Sequence, residues 1–284
     1  MISCIICSRQ RELSAELKKN ITSTIGCDYE LIVVDNSTNN YSIFSAYNEG
    51  VQLAKGNILC FMHEDIVFYT EGWGKKVVLY FQEFDKAGMI GVAGTHFLSS
   101  EPSGWWETEI RSSYLLQGYI ERGEYKSFVD NISHYKSIPT KVVAVDGLWM
   151  CIPRKLFNSV SWDIDTFKGF HGYDIDMSLQ VWKEGFEVHI IWDVLIEHKS
   201  FGSVDQTFYD TCELLWKKWR NYLPMVKGVD LSSSEQGLRT KIIELNNIIR
   251  KQNKLISQIY QSKTYRIGIF FLKPLKKIQQ LLQL

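Results

Sequence analysis

The sequence lacks the glycine-rich motifs that most often hold phosphate groups. Its first strand-like run, residues 2–7, is not followed by G-x-G-x-x-G, and G-x-x-x-x-G-K-[ST] occurs nowhere in the chain. In proteins that carry these motifs, backbone N–H groups of the loop hold the phosphates of dinucleotides or nucleoside triphosphates. Phosphates bound by this chain would therefore have to be neutralised by a metal ion or by arginine.

The chain has no excess of either charge. Lysine plus arginine total 32, aspartate plus glutamate also total 32, and the formal net charge is zero. Nucleic-acid-binding domains usually attract the phosphate backbone through a basic surface. The balance gives no general electrostatic reason for such binding, and no nucleic-acid partner is expected.

Cysteines are few and scattered, with six in 284 residues. Cys4 and Cys7 have C-x-x-C spacing, but they lie in a strand-like run where alternation points them to opposite faces. No second C-x-x-C occurs in the sequence. A zinc site is therefore not expected, and buried reduced thiols are the better interpretation.

Long apolar runs and a leader segment are also lacking. No uninterrupted apolar run reaches the roughly 20 residues that a membrane-spanning helix needs. The amino terminus leads directly into the run 2–7 without a basic region or a cleavage site, so a signal peptide is not expected. We expect a cytoplasmic protein, with peripheral contact at the inner face of the cell membrane left open.

Hydrophobic residues make up 45% of the chain and aromatic residues 13%, which is ample for a folded core. Apolar runs at 2–7, 30–34 and 58–62 are separated by segments with helical spacing at 13–25 and 42–54. The runs do not alternate apolar with polar residues, as is typical of strands buried on both faces. This order predicts an α/β fold with a mostly parallel central sheet flanked by crossover helices.

Polar residues end each of the first three predicted strands. They are Ser8 and Arg9, then Asp35 and Asn36, then His63, Glu64 and Asp65. Ligands bind at the carboxyl ends of parallel strands, so these groups are expected to meet at one rim. Two carboxylates beside an imidazole are costly to desolvate unless a cation lies against them, and a divalent metal carrying a diphosphate would supply that charge. The alternative is a solvated turn that simply ends the third strand.

Three further polar residues follow or precede predicted elements. Asp174 and Asp176 come just before a helix predicted at 177–183, where one carboxylate suffices for capping and the other is free for chemistry. His198 follows a strand-like run at 186–194 and is interpreted either as a structural hydrogen-bonding residue or as a ligand. The long aromatic region 96–140 is predicted to be an insertion or a substrate-facing loop.

The last part of the chain has a different pattern. Leucine, isoleucine and one glutamine recur with alternating four–three spacing from 238 to 259, which predicts a coiled-coil homo-oligomer or a helix docked on the domain. In 263–284 an apolar face is rimmed by lysines, as in a helix lying on anionic lipid, although an ordinary docking helix fits equally well. We predict a domain at 1–226 and a helical extension at 227–284.

Taken together, these residues resemble the family 2-type inverting glycosyltransferases of the GT-A fold, and in particular the bacterial group with His-x-Asp in place of Asp-x-Asp. The resemblance covers roughly residues 1–223. It rests on Val34-Asp35-Asn36, Ala46-Tyr47-Asn48-Glu49-Gly50, Ala54-Lys55-Gly56, Phe61-Met62-His63-Glu64-Asp65, Asp146-Gly147, Gly172-Tyr173-Asp174-Ile175-Asp176, and Glu197-His198 with Gly202-Ser203.

The resemblance implies a metal-dependent enzyme that moves a sugar from a nucleotide-sugar donor to a hydroxyl of a glycan or lipid-linked acceptor, in surface polysaccharide synthesis. It implies Asp174 as the general base, with Asp176 as the alternative, and Asp65 and His198 as ligands of Mn²⁺ or Mg²⁺. The residues implied in donor binding are Ser8, Arg9, Asp35, Asn36, Asn48, His63, Glu64 and Asp65. Those implied in acceptor or sugar binding are Gly147, Trp149, Tyr173 and Asp176.

Two other functions fit the sequence less well. A sugar-phosphate nucleotidyltransferase would normally carry a glycine- and arginine-rich loop after the first strand, whereas this chain has only residues 8–11, Ser-Arg-Gln-Arg. A non-catalytic scaffold acting through its coiled-coil tail would have no reason to keep Asp65, Asp174 and His198 together.

Overall fold

The computed structural model describes residues 1–200, 204–265 and 267. The strands are β1 (Ile2–Ser8), β2 (Tyr29–Asp35), β3 (Ile58–Met62), β4 (Ile66–Phe68), β5 (Ala87–Gly91), β6 (Ala93–Thr95), β7 (Phe97–Leu98), β8 (Arg111–Glu121), β9 (Glu124–Ile132), β10 (Thr140–Lys141), β11 (Ala144–Val145), β12 (Trp149–Pro153), β13 (Glu187–Ile190), β14 (Ile196–His198) and β15 (Met225–Val226). The helices are α1 (Ala15–Thr24), α2 (Ile43–Leu53), α3 (Trp73–Glu83), α4 (Tyr173–Lys183), α5 (Gln206–Trp219) and α6 (Ser233–Gln261).

The central sheet has seven strands in the order β10-β13-β5-β12-β3-β1-β2. β1 runs parallel to both β2 and β3, and β13 runs parallel to β5. β12 lies between β3 and β5 and is antiparallel to both. The predicted α/β architecture with a mostly parallel central sheet is therefore confirmed.

Aromatic side chains cover both faces of this sheet. Tyr47 of α2 packs on Phe61 with ring centroids 4.9 Å apart. On the other face Trp149 packs edge-to-face on Trp73 of α3, 6.0 Å between centroids. Neighbouring residues of a strand point to opposite faces, and Trp149 shares the face of its cross-strand partner Met62 rather than that of Phe61. Each aromatic layer holds a helix against the sheet.

A second sheet extends the fold beside the rim. Its strands are ordered β11-β6-β8-β14-β4, and β9 pairs with β8 as a long hairpin. β14 is antiparallel to β4, which sets His198 opposite Ile66. This pairing brings the end of β14 next to the residues that follow β3.

One predicted helix has different bounds in the structure. The helix predicted at 177–183 begins at Tyr173, because Gly172 takes a left-handed conformation (φ 77°) and acts as its N-cap. Asp174 and Asp176 therefore lie in the first turn of α4.

The carboxyl-terminal region is helical, as predicted. α6 begins after Ser232, whose hydroxyl accepts from the backbone N–H of Glu235 in a capping box. In residues 1–200, 204–265 and 267, no helix has both the length and the apolar character that crossing a bilayer requires. The amphipathic segment predicted at 263–284 lies almost wholly outside the described residues.

Candidate functional site

The ends of β1, β2 and β3 meet at one rim. Ser8 lies opposite Asp35 in the β1–β2 ladder, and the N–H of Asn36 donates to the Ser8 carbonyl at 2.8 Å. The carboxylate of Glu64 accepts from the Ser8 hydroxyl at 2.5 Å and from the Arg9 backbone N–H at 3.1 Å. Glu64 thus links the residues after β3 to the end of β1, and its carboxylate lies beside the end of β1.

His63, Asp65 and His198 form a compact cluster beside Glu64. It is the only group of three potential metal ligands found in the described part of the chain. His63 Nδ1 lies 3.4 Å from His198 Nε2 and 3.8 Å from Asp65 Oδ1. His198 Nε2 lies 3.6 Å from the same carboxylate oxygen. One oxygen and two imidazole nitrogens therefore point at a common centre.

The geometry of this cluster fits a divalent cation. A point equidistant from three atoms at these separations lies about 2.1 Å from each, close to the roughly 2.0–2.2 Å that imidazole nitrogen and carboxylate oxygen keep from Zn²⁺. Burial, and next the neighbouring His198, lower the pKa of His63. The neutral imidazole is the form that binds a metal.

The side chains around the cluster orient its donor atoms. The Tyr173 hydroxyl lies 2.7 Å from His63 Nε2. The tautomer that donates Nε2–H to Tyr173 leaves the lone pair on Nδ1, which faces the other two donors. The remaining oxygen of Asp65 accepts from the Ser200 hydroxyl at 2.5 Å, and Gln117 donates to the Ser200 carbonyl at 2.9 Å. No sequence signal pointed to Ser200 or Gln117.

Asp174 lies on the other side of Tyr173, in the first turn of α4. Its carboxylate accepts from the backbone N–H groups of Gly147, at 3.2 Å, and of Ile175, at 2.9 Å. Burial, and next the negative charge of Asp146, raise the pKa of Asp174 to about 7. A carboxylate with this pKa can take up a proton near neutral pH. The sequence motif contained Asp146, but no role was predicted for it.

Asp176, also in the first turn of α4, has a different environment. It is buried, and its carboxylate contacts the Lys218 ammonium at 2.7 Å. It also accepts from the Trp219 indole at 2.7 Å and from the Gln180 amide at 2.8 Å. With its oxygens occupied and almost no exposed surface, Asp176 is suited neither to proton transfer nor to sugar contact.

Three other predicted site residues are engaged elsewhere. The Asn36 amide pairs with the backbone of Tyr41 through both its oxygen and its nitrogen, each at 2.9 Å. Asn48 pairs in the same way with the backbone of Trp162, at 2.8 and 3.3 Å. Trp149 has no exposed surface. The structure thus leaves neither a free amide on Asn36 or Asn48 nor an accessible ring on Trp149, contrary to the predicted donor and sugar contacts.

The remaining predicted residues do line the rim. Asp35 is exposed at the end of β2, and a hydrogen bond from the Ser37 N–H at 2.9 Å lowers its pKa. The Arg9 guanidinium lies over the Phe170 ring, 5.6 Å from its centroid. At Gly147 a Cβ atom would overlap the Tyr173 hydroxyl. Only glycine leaves room there for the contact between Tyr173 and His63.

Residues 1–210 match a family model described as "Glycosyltransferase like family". The chain belongs to this glycosyltransferase-like family. The membership confirms the resemblance based on the rim motifs, and the nucleotidyltransferase and scaffold hypotheses gain no support from it. Curated protein sequences gave no match to this glycosyltransferase.

Several solved structures resemble this glycosyltransferase at low identity. GalNAc-T7 with UDP, GalNAc and Mn²⁺ is 12% identical over 86% of this chain, which spans only 54% of that chain, with a TM-score of 0.48. S. aureus TarS 1-349 in complex with UDP-GlcNAc is 12% identical, covers 84% of this chain and 70% of its own, and has a TM-score of 0.48. The mannosyltransferase PcManGT from Pyrobaculum calidifontis, in complex with GDP-Man and Mn²⁺, is 10% identical, covers 94% and 82%, and has a TM-score of 0.43.

Proposed function

We propose that this glycosyltransferase is a metal-dependent inverting enzyme that transfers a sugar from a nucleotide-sugar to a hydroxyl group. The observation that carries the proposal is the convergence of His63, Asp65 and His198 on one point, with Tyr173 linking that point to the turn that holds Asp174. The cluster can hold a cation and the turn offers a proton acceptor. These are the two groups that such a transfer needs.

The donor would lie along the rim. Asp35 is exposed and ionised at the end of β2, and it would accept hydrogen bonds from the ribose or the base. A cation held by His63, Asp65 and His198 would offset the charge that the nucleoside diphosphate gains as it departs. Three protein ligands leave coordination positions free for phosphate oxygens.

Asp174 would act as the general base. As the acceptor oxygen bonds to the anomeric carbon, its proton passes to the Asp174 carboxylate, and the bond from that carbon to the diphosphate oxygen breaks with its electron pair leaving on the diphosphate. Attack opposite the leaving group inverts the configuration. The pKa of about 7 leaves much of Asp174 deprotonated at neutral pH, yet basic enough to accept the proton.

The donor atoms also favour one of the two predicted cations. Mg²⁺ prefers oxygen ligands in near-octahedral geometry, whereas two of the three donor atoms here are imidazole nitrogens. Mn²⁺ would bind imidazole nitrogen more readily than Mg²⁺, because Mg²⁺ is the harder ion and demands near-ideal octahedral oxygen ligation. Within this proposal Mn²⁺ is the cofactor and Mg²⁺ the weaker substitute.

The acceptor in this proposal is a glycan or lipid-linked hydroxyl at the cytoplasmic face of the membrane, in surface polysaccharide synthesis. The absence of any strong single-sign charge suits a neutral saccharide better than a polyanion. The proposal also includes a glycosyltransferase domain at residues 1–226, which contains all the rim residues, and a helical extension at residues 227–284.

Calorimetric titration of UDP and GDP, with and without Mn²⁺, tests the proposal directly. We expect one nucleotide to bind only with Mn²⁺ present, and Asp65→Ala or His198→Ala to abolish that binding. His63→Ala should weaken it by one to two orders of magnitude. A thermal-shift panel of nucleotide-sugars then identifies the donor.

Matched controls use residues of the same types away from the rim. His134 and Asp193 are exposed, and Asp193 pairs with Lys76 on the surface. His134→Ala and Asp193→Ala should bind the nucleotide like the unmodified protein. Binding that is independent of Mn²⁺, or undiminished in Asp65→Ala, would remove the metal site from the proposal.

A further inference from the structure

Helix α6 has two faces with opposite composition. One face docks on the domain through a stripe that we call the docking stripe, made of Arg239, Ile243, Asn247 and Arg250. Arg239 donates to the Thr108 carbonyl at 3.2 Å, Asn247 donates to the Pro102 carbonyl at 2.9 Å, and Arg250 pairs with Glu107 at 2.7 Å. Ile243 is the one apolar residue that α6 buries within 233–261. The docking stripe is therefore mostly polar.

The other face carries the apolar residues and leaves them exposed. We call it the free stripe: Leu238, Ile242, Leu245, Ile249, Gln252, Ile256 and Ile259. Its six aliphatic side chains are between 47% and 66% exposed, and Ile248 and Leu255 beside them are 43% and 57% exposed. A surface helix normally turns its apolar stripe toward the core. Here the arrangement is reversed, so the free stripe lacks a partner within the described residues.

The two stripes lie far apart around the helix. At about 100° per residue, their mean directions differ by about 140°. In heptad terms the free stripe occupies positions a and d, and the docking stripe occupies b, e and f. A second helix could therefore cover the free stripe without displacing any contact between α6 and its own domain.

The residue types on the free stripe select one kind of partner. The a positions are Ile242, Ile249 and Ile256, and the first two d positions are Leu238 and Leu245. β-Branched residues at a with leucine at d favour two parallel strands. Gln252 at a d position is polar, and a single polar core residue favours one register because two copies of it can hydrogen-bond only when aligned.

The residues beside the free stripe suit a protein partner better than anionic lipid. The first three e positions are Arg239, which donates to the Thr108 carbonyl of its own domain, and then Asn246 and Asn253; of the g positions only Lys241 is charged. Lys241 is paired with Glu244 of the same helix at 2.8 Å. A helix that lies on anionic lipid is flanked by several free lysines or arginines, whereas two copies of α6 would meet here without repulsion between like charges.

We propose that α6 pairs with α6 of a second copy of this chain, as a parallel two-stranded coiled coil over residues 238–259. The pairing spans just over three heptads, or about 33 Å of helix at 1.5 Å per residue. Each domain stays on the outer side of its own helix through the docking stripe. The proposal is independent of the glycosyl-transfer reaction.

Light scattering on the full chain after gel filtration tests the pairing. We expect a mass twice the 33.0 kDa of one chain at micromolar concentration. Ile249→Glu should raise the dimer dissociation constant at least a hundredfold and give a monomer that keeps its helical content. Lys254→Glu, an exposed position of the same helix off the free stripe, should leave the dimer intact.

Cross-linking tests the orientation. In a parallel, aligned pair the two residues at position 252 meet across the axis, so Gln252→Cys should form a dimer-sized disulfide species under air oxidation. Asn247→Cys, on the docking stripe, should not. A monomer for the unmodified chain, a dimer unaffected by Ile249→Glu, or no cross-link through position 252 would each overturn the proposal. So would a monomer that binds vesicles containing phosphatidylglycerol through the free stripe.

Discussion

Two carboxylates in the first turn of α4 are two residues apart and have opposite environments. Asp174 faces the rim, and its hydrogen bonds come from the backbone N–H groups of Gly147 and Ile175. Asp176 points into the protein, where a lysine ammonium, an indole and an amide surround it. The same residue type thus has a raised pKa and backbone partners in one place and a cation with two side-chain donors in the other.

The two carboxylates differ both in burial, which is deeper for Asp176, and in the charges beside them. Asp174 has a like charge nearby in Asp146, which adds to burial in raising the pKa of Asp174. Asp176 has the cation of Lys218, which also pairs with Asp163 at 2.7 Å. Asp174→Asn should therefore mainly lower activity, whereas Asp176→Asn should mainly lower folding stability.

The largest expected difference is in transfer rate. Asp174→Asn should lower the rate by about 10²–10⁴-fold, the usual contribution of a positioned general base, while binding of nucleotide with Mn²⁺ persists. Asp176→Asn should keep the rate per folded molecule within a few-fold. Release of nucleoside diphosphate, measured with the donor found by thermal shift, checks both. A near-normal rate in Asp174→Asn would reassign the base.

The next difference is in folding stability at neutral pH. Asp176→Asn leaves Lys218 facing a neutral amide, and removing one partner of a buried ion pair costs about 3 kcal/mol. We expect the lower end of the usual range because Asp163 still contacts Lys218. Urea unfolding at pH 7 measures the loss. A stability change below about 0.5 kcal/mol, the size typical of surface sites, would contradict the structural role.

The pH dependence of stability gives a third test, in which Asp174→Asn is compared with the unmodified protein. The pKa of Asp174 is raised from 3.8 to about 7 in the folded protein, so the folded state binds more protons between those values and its stability falls as pH rises through them. Asp174→Asn removes this loss and should be about 1–2 kcal/mol more stable than the unmodified protein at pH 8, with little difference at pH 4. Unfolding curves at the two pH values test this. If the difference in unfolding free energy between Asp174→Asn and the unmodified protein were the same at both pH values, the pKa of Asp174 would not be raised in the folded protein.

The smallest expected effect is a shift in the rate profile. Transfer should rise with pH around a midpoint near 7 as the Asp174 carboxyl, with its pKa of about 7, loses its proton. Asp146→Asn removes the like charge and should move that midpoint to lower pH. Asp193→Asn, far from the rim, serves as the control. An unchanged midpoint in Asp146→Asn would mean that burial alone sets the pKa of Asp174.

Much of the rim could be predicted because it follows from local pattern. Non-alternating apolar runs predict parallel strands, and the residues after each run must then share one edge, as Ser8, Asp35 and His63 do. The contribution of Ser200 and Gln117 could not be predicted. It depends on the pairing of β14 with β8, in which Glu197 lies opposite Leu116, and with β4, in which Glu197 lies opposite Val67, and no local pattern encodes these long-range registers.

Two residues show what the local pattern does not predict. Asn48 and Trp149 have side chains that often bind ligands, and the motif placed them near the rim. Their actual partners, the Trp162 backbone for Asn48 and the rings of Trp73 and Phe68 for Trp149, come from distant segments. The residue type indicates what a side chain is able to contact, whereas the tertiary packing decides what it does contact.

The reversed direction of β12 determines which connections of the chain carry the residues of the rim. The chain leaves the rim-bound ends of β1, β2 and β3, but it arrives at the rim at Asp146 and Gly147 before running back through β12. Asp146 and Gly147, which lie beside Asp174, therefore belong to the connection between β11 and β12, whereas His63 and Asp65 belong to the loop after β3. Lengthening or shortening the connection between β11 and β12 would change both groups together, because Leu148 of this connection accepts from the backbone N–H of His63 at 3.0 Å and Gly147 lies against Tyr173.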